Sequence, residues 1–150
     1  MRSLGAASLE QVSRAPTYQL GRSKGVNMNV TFIGVGAIGL PMAVRIQRAG
    51  HDVTGVDVSE SVIANAKSSG IETVGNIVDA PAAEVVVVMV ATPDQLVGLV
   101  SRVGGAVRGQ LWIIMSTVGP HSVREQGQVL QRAGAQIGRA SCRERVCYPV

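Results

Sequence analysis

Residues 28–60 read MNVTFIGVGAIGLPMAVRIQRAGHDVTGVDVSE, and the fold turns on how this stretch divides. Val30–Val35 is an uncharged, largely apolar run of strand length. It leads straight into Ile38–Ala49, where Ile38, Met42 and Ile46 recur at helical spacing. Gly50 stands where a left-handed helix C-cap is expected. Val53–Asp57 then reads as a second strand. At the first junction lies Gly34-Val35-Gly36-Ala37-Ile38-Gly39, a G-x-G-x-x-G string, and Asp57 follows Gly39 by 18 residues at the end of the next strand. Strand, glycines, helix, strand and acid in that order form the full dinucleotide-binding context, where the string alone is weak evidence. Each part has a physical task. Gly34 permits a tight turn, Gly36 omits a side chain that would block a pyrophosphate, and Gly39 lets the helix pack close to the strand. The helix N-terminus presents free N–H groups and partial positive charge to the phosphates. Asp57 accepts hydrogen bonds from the adenosine ribose hydroxyls and repels a 2′-phosphate, and Val58-Ser59-Glu60 brings no arginine to offset it. NAD is therefore the expected cofactor and NADP the alternative.

The same alternation continues downstream. Glu60–Ser69 reads as a helix that Ser59 caps, and Ile71–Val74 as a short strand. Val85–Val90 (VVVVMV) is apolar on both faces, as in a buried parallel strand. Pro93–Val103 and Pro120–Ala133 read as helices opened by proline, with Leu111–Met115 (LWIIM) a strand between them. Strands alternating with helices imply parallel βαβ units with right-handed crossovers, an α/β doubly wound sheet.

Composition sets the bounds. The 150 residues are 46% apolar and 3% aromatic, enough for one domain that buries roughly 70% of its unfolded surface. No apolar run approaches the roughly 20 residues of a bilayer span. The net charge of +4 would raise the question of nucleic acid, but residues 1–27 carry +3, residues 137–150 carry +2, and residues 28–136 carry −1. With the basicity confined to the ends, neither nucleic acid nor membrane is an expected partner. Residues 1–27 lack sustained periodicity. They read either as untranslated sequence ahead of a true start at Met28, the favoured reading, or as a mitochondrial transit peptide. The expected location is accordingly cytoplasmic, with mitochondrial as the alternative.

Residues 30–60 resemble the opening of the β-hydroxyacid dehydrogenases, the group around 3-hydroxyisobutyrate dehydrogenase that is related to 6-phosphogluconate dehydrogenase. The G-x-G-x-M-G-x-x-M-A signature of that family is met at Gly34, Gly36, Gly39, Met42 and Ala43, with Ile38 in place of methionine. Ala49-Gly50-His51 resembles the segment before its second strand. VVVVMVATP (85–93) resembles its fourth strand and cofactor loop, with Ala91 where proline is common. IIMSTVGP (113–120) resembles its I-D-M-S-T-x-x-P segment, with Ile114 replacing the acid. The resemblance implies a Rossmann-type fold over residues 28–136. It implies that the backbone of Ala37 and Ile38 binds pyrophosphate and that Val90 and Ala91 line the cofactor. Thr117 would sit by the nicotinamide ribose and Ser116 by the substrate, a short hydroxyacid or semialdehyde in a full-length, homo-oligomeric parent. His51 reads as turn structure, and His121 as a solvated residue of a helix's first turn.

The family continues with a D-x-P-V-S-G-G segment and a catalytic lysine on a later helix. In this sequence Gly134-Ala135-Gln136 is in place, no lysine follows Lys67, and no catalytic residue is assigned. The chain itself is expected not to turn over substrate. A non-catalytic NAD-sensing module is the rival reading, which fold alone does not separate. Residues 137–146, IGRASCRERV, resemble a translated sequencing adapter, and 137–150 read as a non-native tail. Its Cys142 and Cys147 supply two ligands where structural zinc takes four, so no metal is expected. With strand six incomplete, LWIIM would present an open, aggregation-prone sheet edge.

Overall fold

The computed structural model describes residues 26–139. Its elements alternate: β1 (Asn29–Ile33), α1 (Gly39–Arg48), β2 (Asp52–Val56), α2 (Glu60–Ser68), β3 (Glu72–Val74), a 3-10 turn (Ile77–Asp79), β4 (Val85–Val88), α3 (Pro93–Val103), β5 (Leu111–Ile114), α4 (Pro120–Arg132) and β6 (Gln136–Arg139). The strands form one sheet in the order β3-β2-β1-β4-β5-β6, every neighbouring pair parallel. This is the doubly wound Rossmann-type arrangement, with its switch point between β1 and β4.

The period-2 alternation of each strand divides the core in two. Phe32 and Val87 join Leu40 and Ala43 of α1 and Ala66 of α2 on one face. Ile33, Val86 and Val88 join Leu96 and Val100 of α3, Trp112 of β5 and Leu130 of α4 on the other. That is why β4 is a run of valines: both faces are covered by helices. Trp112, 1% exposed, is the largest fully buried side chain, and its indole N–H donates to Gln110 Oε1 at 3.1 Å.

Element ends depart from the sequence expectations by a residue or two, for identifiable reasons. β1 stops at Ile33 because Gly34 turns left-handed (φ 87°), its N–H donating to the Val56 carbonyl at 2.8 Å. β4 stops at Val88, and the Val90 N–H goes to a side chain instead of the ladder. Gly50 adopts φ 101° beyond α1, as a C-terminal glycine should. Ser59 stands at the N-cap of α2 but makes no capping bond. Its hydroxyl meets that of Ser61 at 3.0 Å, while its own N–H donates to Asp57 Oδ1 at 3.0 Å.

The open edge expected at β5 is corrected. β6 pairs along all four residues of β5, from Leu111↔Gln136 to Ile114↔Arg139, so the sheet continues three residues into the stretch read as a tail. The ladder is made by main-chain groups, which Gln136-Ile137-Gly138-Arg139 supplies as well as any sequence does. Ile137 adds its side chain to the α3–α4 core. The expected leader (residues 1–25 of it), Cys142 and Cys147 lie outside the described residues.

Candidate functional site

At the switch point the carboxyl ends of β1, β2 and β4 open into a cleft of about 550 Å³. Its floor is Ile33, Gly34 and Gly36, one wall is Asp57 with Val58, and the other is Val90 and Ala91 with one face of α3 from Asp94 to Arg102. A crevice outside the carboxyl ends of the strands, at the reversal of strand order, is where such sheets bind ligands.

The three glycines of the motif have different causes. At Gly34 a Cβ would overlap the Met89 carbonyl, and φ is 87°, so the turn itself demands glycine. At Gly39 a Cβ would overlap the Gly34 carbonyl and press on the Phe32 ring at 3.0 Å, so helix and strand approach only because it is absent. At Gly36 a Cβ would meet nothing within 4 Å, and φ lies outside the left-handed region. Neither backbone nor packing requires glycine there. What its missing side chain leaves is open space on the floor of the cleft, where a bound group can approach the backbone.

Electrostatics select the anion's place. The N-terminus of α1 has no side-chain cap and no acid in its first turn, so its N–H groups and dipole face the glycine loop uncompensated. That of α3, across the cleft, is closed. Thr92 and Gln95 form a capping box there, and Asp94 stands in the first turn. Of these two helix N-termini, that of α1 is the one left open to an anion. Ala37 and Ile38 are exposed at the start of that helix, Ile38 by 69%. Asp57 is half-buried, fixed by its N–H to Val74 O at 3.1 Å and by the Ser59 N–H on its Oδ1. Its Oδ2 makes no hydrogen bond among the described residues.

The structure thus brings Gly34, Gly36, Asp57, Val90 and Ala91 into one cleft and sets Ala37, Ile38 and Gly39 at the helix beside it. Ser116 and Thr117 do not line it. Ser116 is tied to the back of the Val90 loop, accepting the Val90 N–H at 2.8 Å, and Thr117 is exposed just beyond it. His51 stands at the opposite end of β2, its Nδ1 3.4 Å from the Met28 N–H, and His121 meets Glu125 at 3.4 Å on the solvent face of α4.

Sequence reasoning missed the far wall. Asp94, Gly98 and Arg102, spaced by four along α3, line the cleft together with Gln95, Leu99 and Ile77. Arg102 makes no ion pair among the described residues. The four-residue spacing was the available signal, since it puts those positions on one helix face. No cluster of three His, Cys, Asp or Glu residues suited to a metal occurs among the described residues. None of their helices is long and apolar enough to cross a membrane.

Residues 29–140 match the family described as the NAD binding domain of 6-phosphogluconate dehydrogenase. Among solved structures, the chain is similar to a Mycobacterium tuberculosis 3-hydroxyisobutyrate dehydrogenase determined with L-serine. The TM-score is 0.71 at 26% identity, over 75% of this chain and 39% of that one. An imine reductase variant from Myxococcus stipitatus in complex with NAD+ superposes with TM-score 0.67 at 22% identity, over 75% and 39%. One from Aspergillus terreus, in complex with NADPH4 and dibenz[c,e]azepine, gives 0.67 at 16% identity, over 77% and 41%. The two imine reductases carry the fold alone. The chain spans about two fifths of the length of these structures.

Proposed function

We propose, for a chain that belongs to the family of the NAD binding domain of 6-phosphogluconate dehydrogenase, that its cleft takes up NAD in preference to NADP. We read it as the cofactor half of a hydride transfer between the nicotinamide and the hydroxyl-bearing carbon of a short hydroxyacid or semialdehyde. The observation that carries this is Gly36, a glycine required by neither conformation nor packing, beside an uncapped helix N-terminus. Together they fit a diphosphate lying against the backbone. Asp57 then lies where the adenosine ribose arrives, and its carboxylate accepts the 2′ and 3′ hydroxyls while opposing a phosphate. Ile77 and Leu99 supply apolar surface in the same cleft for the adenine. The bound nicotinamide supplies the carbon that accepts or gives hydride. The hydroxyacid class is supported by the 26% identity to the 3-hydroxyisobutyrate dehydrogenase.

Hydride exchange at a hydroxyl carbon also needs a proton donor or acceptor within hydrogen-bond reach. Among the described residues the ionisable groups lining this cleft are Asp57, Asp94 and Arg102; on this reading Asp57 is occupied by the ribose, and the other two stand on α3. The expected behaviour of the 150-residue chain is to bind cofactor without turning over substrate. Calorimetric titration with NAD is expected to give a dissociation constant between about 1 μM and 1 mM. Incubation with NAD and 3-hydroxyisobutyrate is expected to give no rise in absorbance at the reduced-nicotinamide band. Substrate-dependent reduction of NAD by the purified chain would overturn the division of labour, and absence of NAD binding would overturn the cofactor reading.

A further inference from the structure

The loop after β4 forms one wall of the cleft, and its consecutive N–H groups, of Val90, Ala91 and Thr92, all end on side chains. Gln95 Oε1 takes those of Ala91 at 2.9 Å and Thr92 at 3.3 Å. Val90 sits where β4 leaves the ladder, half-buried, and its N–H would otherwise be an unpaired donor. Ser116, from the end of β5, accepts that N–H at 2.8 Å and donates its own proton to the Val88 carbonyl at 3.3 Å. One hydroxyl therefore bridges the two groups flanking Met89, whose carbonyl in turn packs against Gly34.

We propose that Ser116 is a positioning residue for the cofactor, holding the Val90–Thr92 wall in its binding shape before the cofactor arrives. The proposal rests on the reading of the cleft as a dinucleotide site. It differs from the substrate contact that family resemblance implies for Ser116. In the structure both bonds of the Ser116 hydroxyl are made to backbone at the end of β4, one accepted from Val90 and one donated to Val88, and it does not line the cleft. A wall fixed in advance spares the bound state the ordering of a loop, which shows as affinity.

The test uses the full chain as wild type, Ser116→Ala and Ser116→Thr. It measures Val90 amide exchange without cofactor, thermal midpoint, and NAD affinity well below that midpoint. Loss of one hydrogen bond is expected to speed Val90 exchange about tenfold and to weaken NAD binding about five- to tenfold in Ser116→Ala. Ser116→Thr, which keeps the hydroxyl, restores both. A role confined to stability would move the midpoint and leave affinity in the folded protein unchanged, which overturns the proposal. So would unchanged exchange in Ser116→Ala. If the wild-type chain takes up no dinucleotide, the cofactor reading fails and the positioning role falls with it; a wild type that binds NAD beside a Ser116→Ala chain of equal affinity overturns the positioning role alone.

Discussion

Gly36→Val is expected to weaken NAD binding by at least about 100-fold, equivalent to roughly 3 kcal/mol, while leaving the chain folded. The side chain would enter open space, with no protein atom within 4 Å of its Cβ and no left-handed backbone to strain. Surface-type substitutions of that kind change stability by no more than about 0.5 kcal/mol. It would, however, occupy the floor of the cleft where a diphosphate meets the backbone. Gly34→Ala and Gly39→Ala provide the contrast, since their Cβ atoms would overlap the Met89 and Gly34 carbonyls. Each is expected to lose about 2–4 kcal/mol of stability. Denaturant melts alongside NAD titrations separate the two behaviours. A Gly36→Val chain that binds NAD like wild type would remove the main support for the site.

Asp57→Asn carries the second large effect. The amide retains an acceptor for the Ser59 N–H, so the local turn survives, but the charge is gone. Hydrogen bonds to a charged group are worth about 1.5–3 kcal/mol, so NAD affinity should fall about 10- to 100-fold. The 2′-phosphate of NADP would no longer meet a like charge, and Arg102 on the facing wall offers it a cation. The ratio of NADP to NAD affinity should therefore rise by more than NAD affinity falls. Parallel titrations with the two cofactors give that ratio. An unchanged ratio would show that Asp57 does not face the ribose.

The dinucleotide fold was legible because its signals are local. Three glycines, two flanking strands and an acid fall within residues 29–57, and each spacing is set by a single turn or helix. The valines of β4 were equally readable, since burial on both faces suppresses polar alternation. The Thr92-Pro93-Asp94-Gln95 capping box was written in the sequence and passed over, although threonine followed three residues later by glutamine is its signature. Other features arise only from pairing distant segments. Ser116 meets Val90 across 26 residues because β5 lies beside β4, and Arg102 reaches the cleft that Asp57 lines only because α3 packs against β4 and β5. β6 was expected but read as broken off after Gln136, for another reason. Its pairing uses main-chain groups, so Gln136-Ile137-Gly138-Arg139 need show no hydrophobic alternation to complete the sheet.

The most direct test of the cofactor cleft is an amide-resolved NMR titration of the wild-type chain with NAD. Saturable shifts are expected at Gly36, Ala37, Ile38, Asp57 and Val90, with Gly50, Gly70 and Gly134 unmoved at the opposite ends of the strands. Shifts absent around Gly36, or centred on those distant glycines, would contradict it.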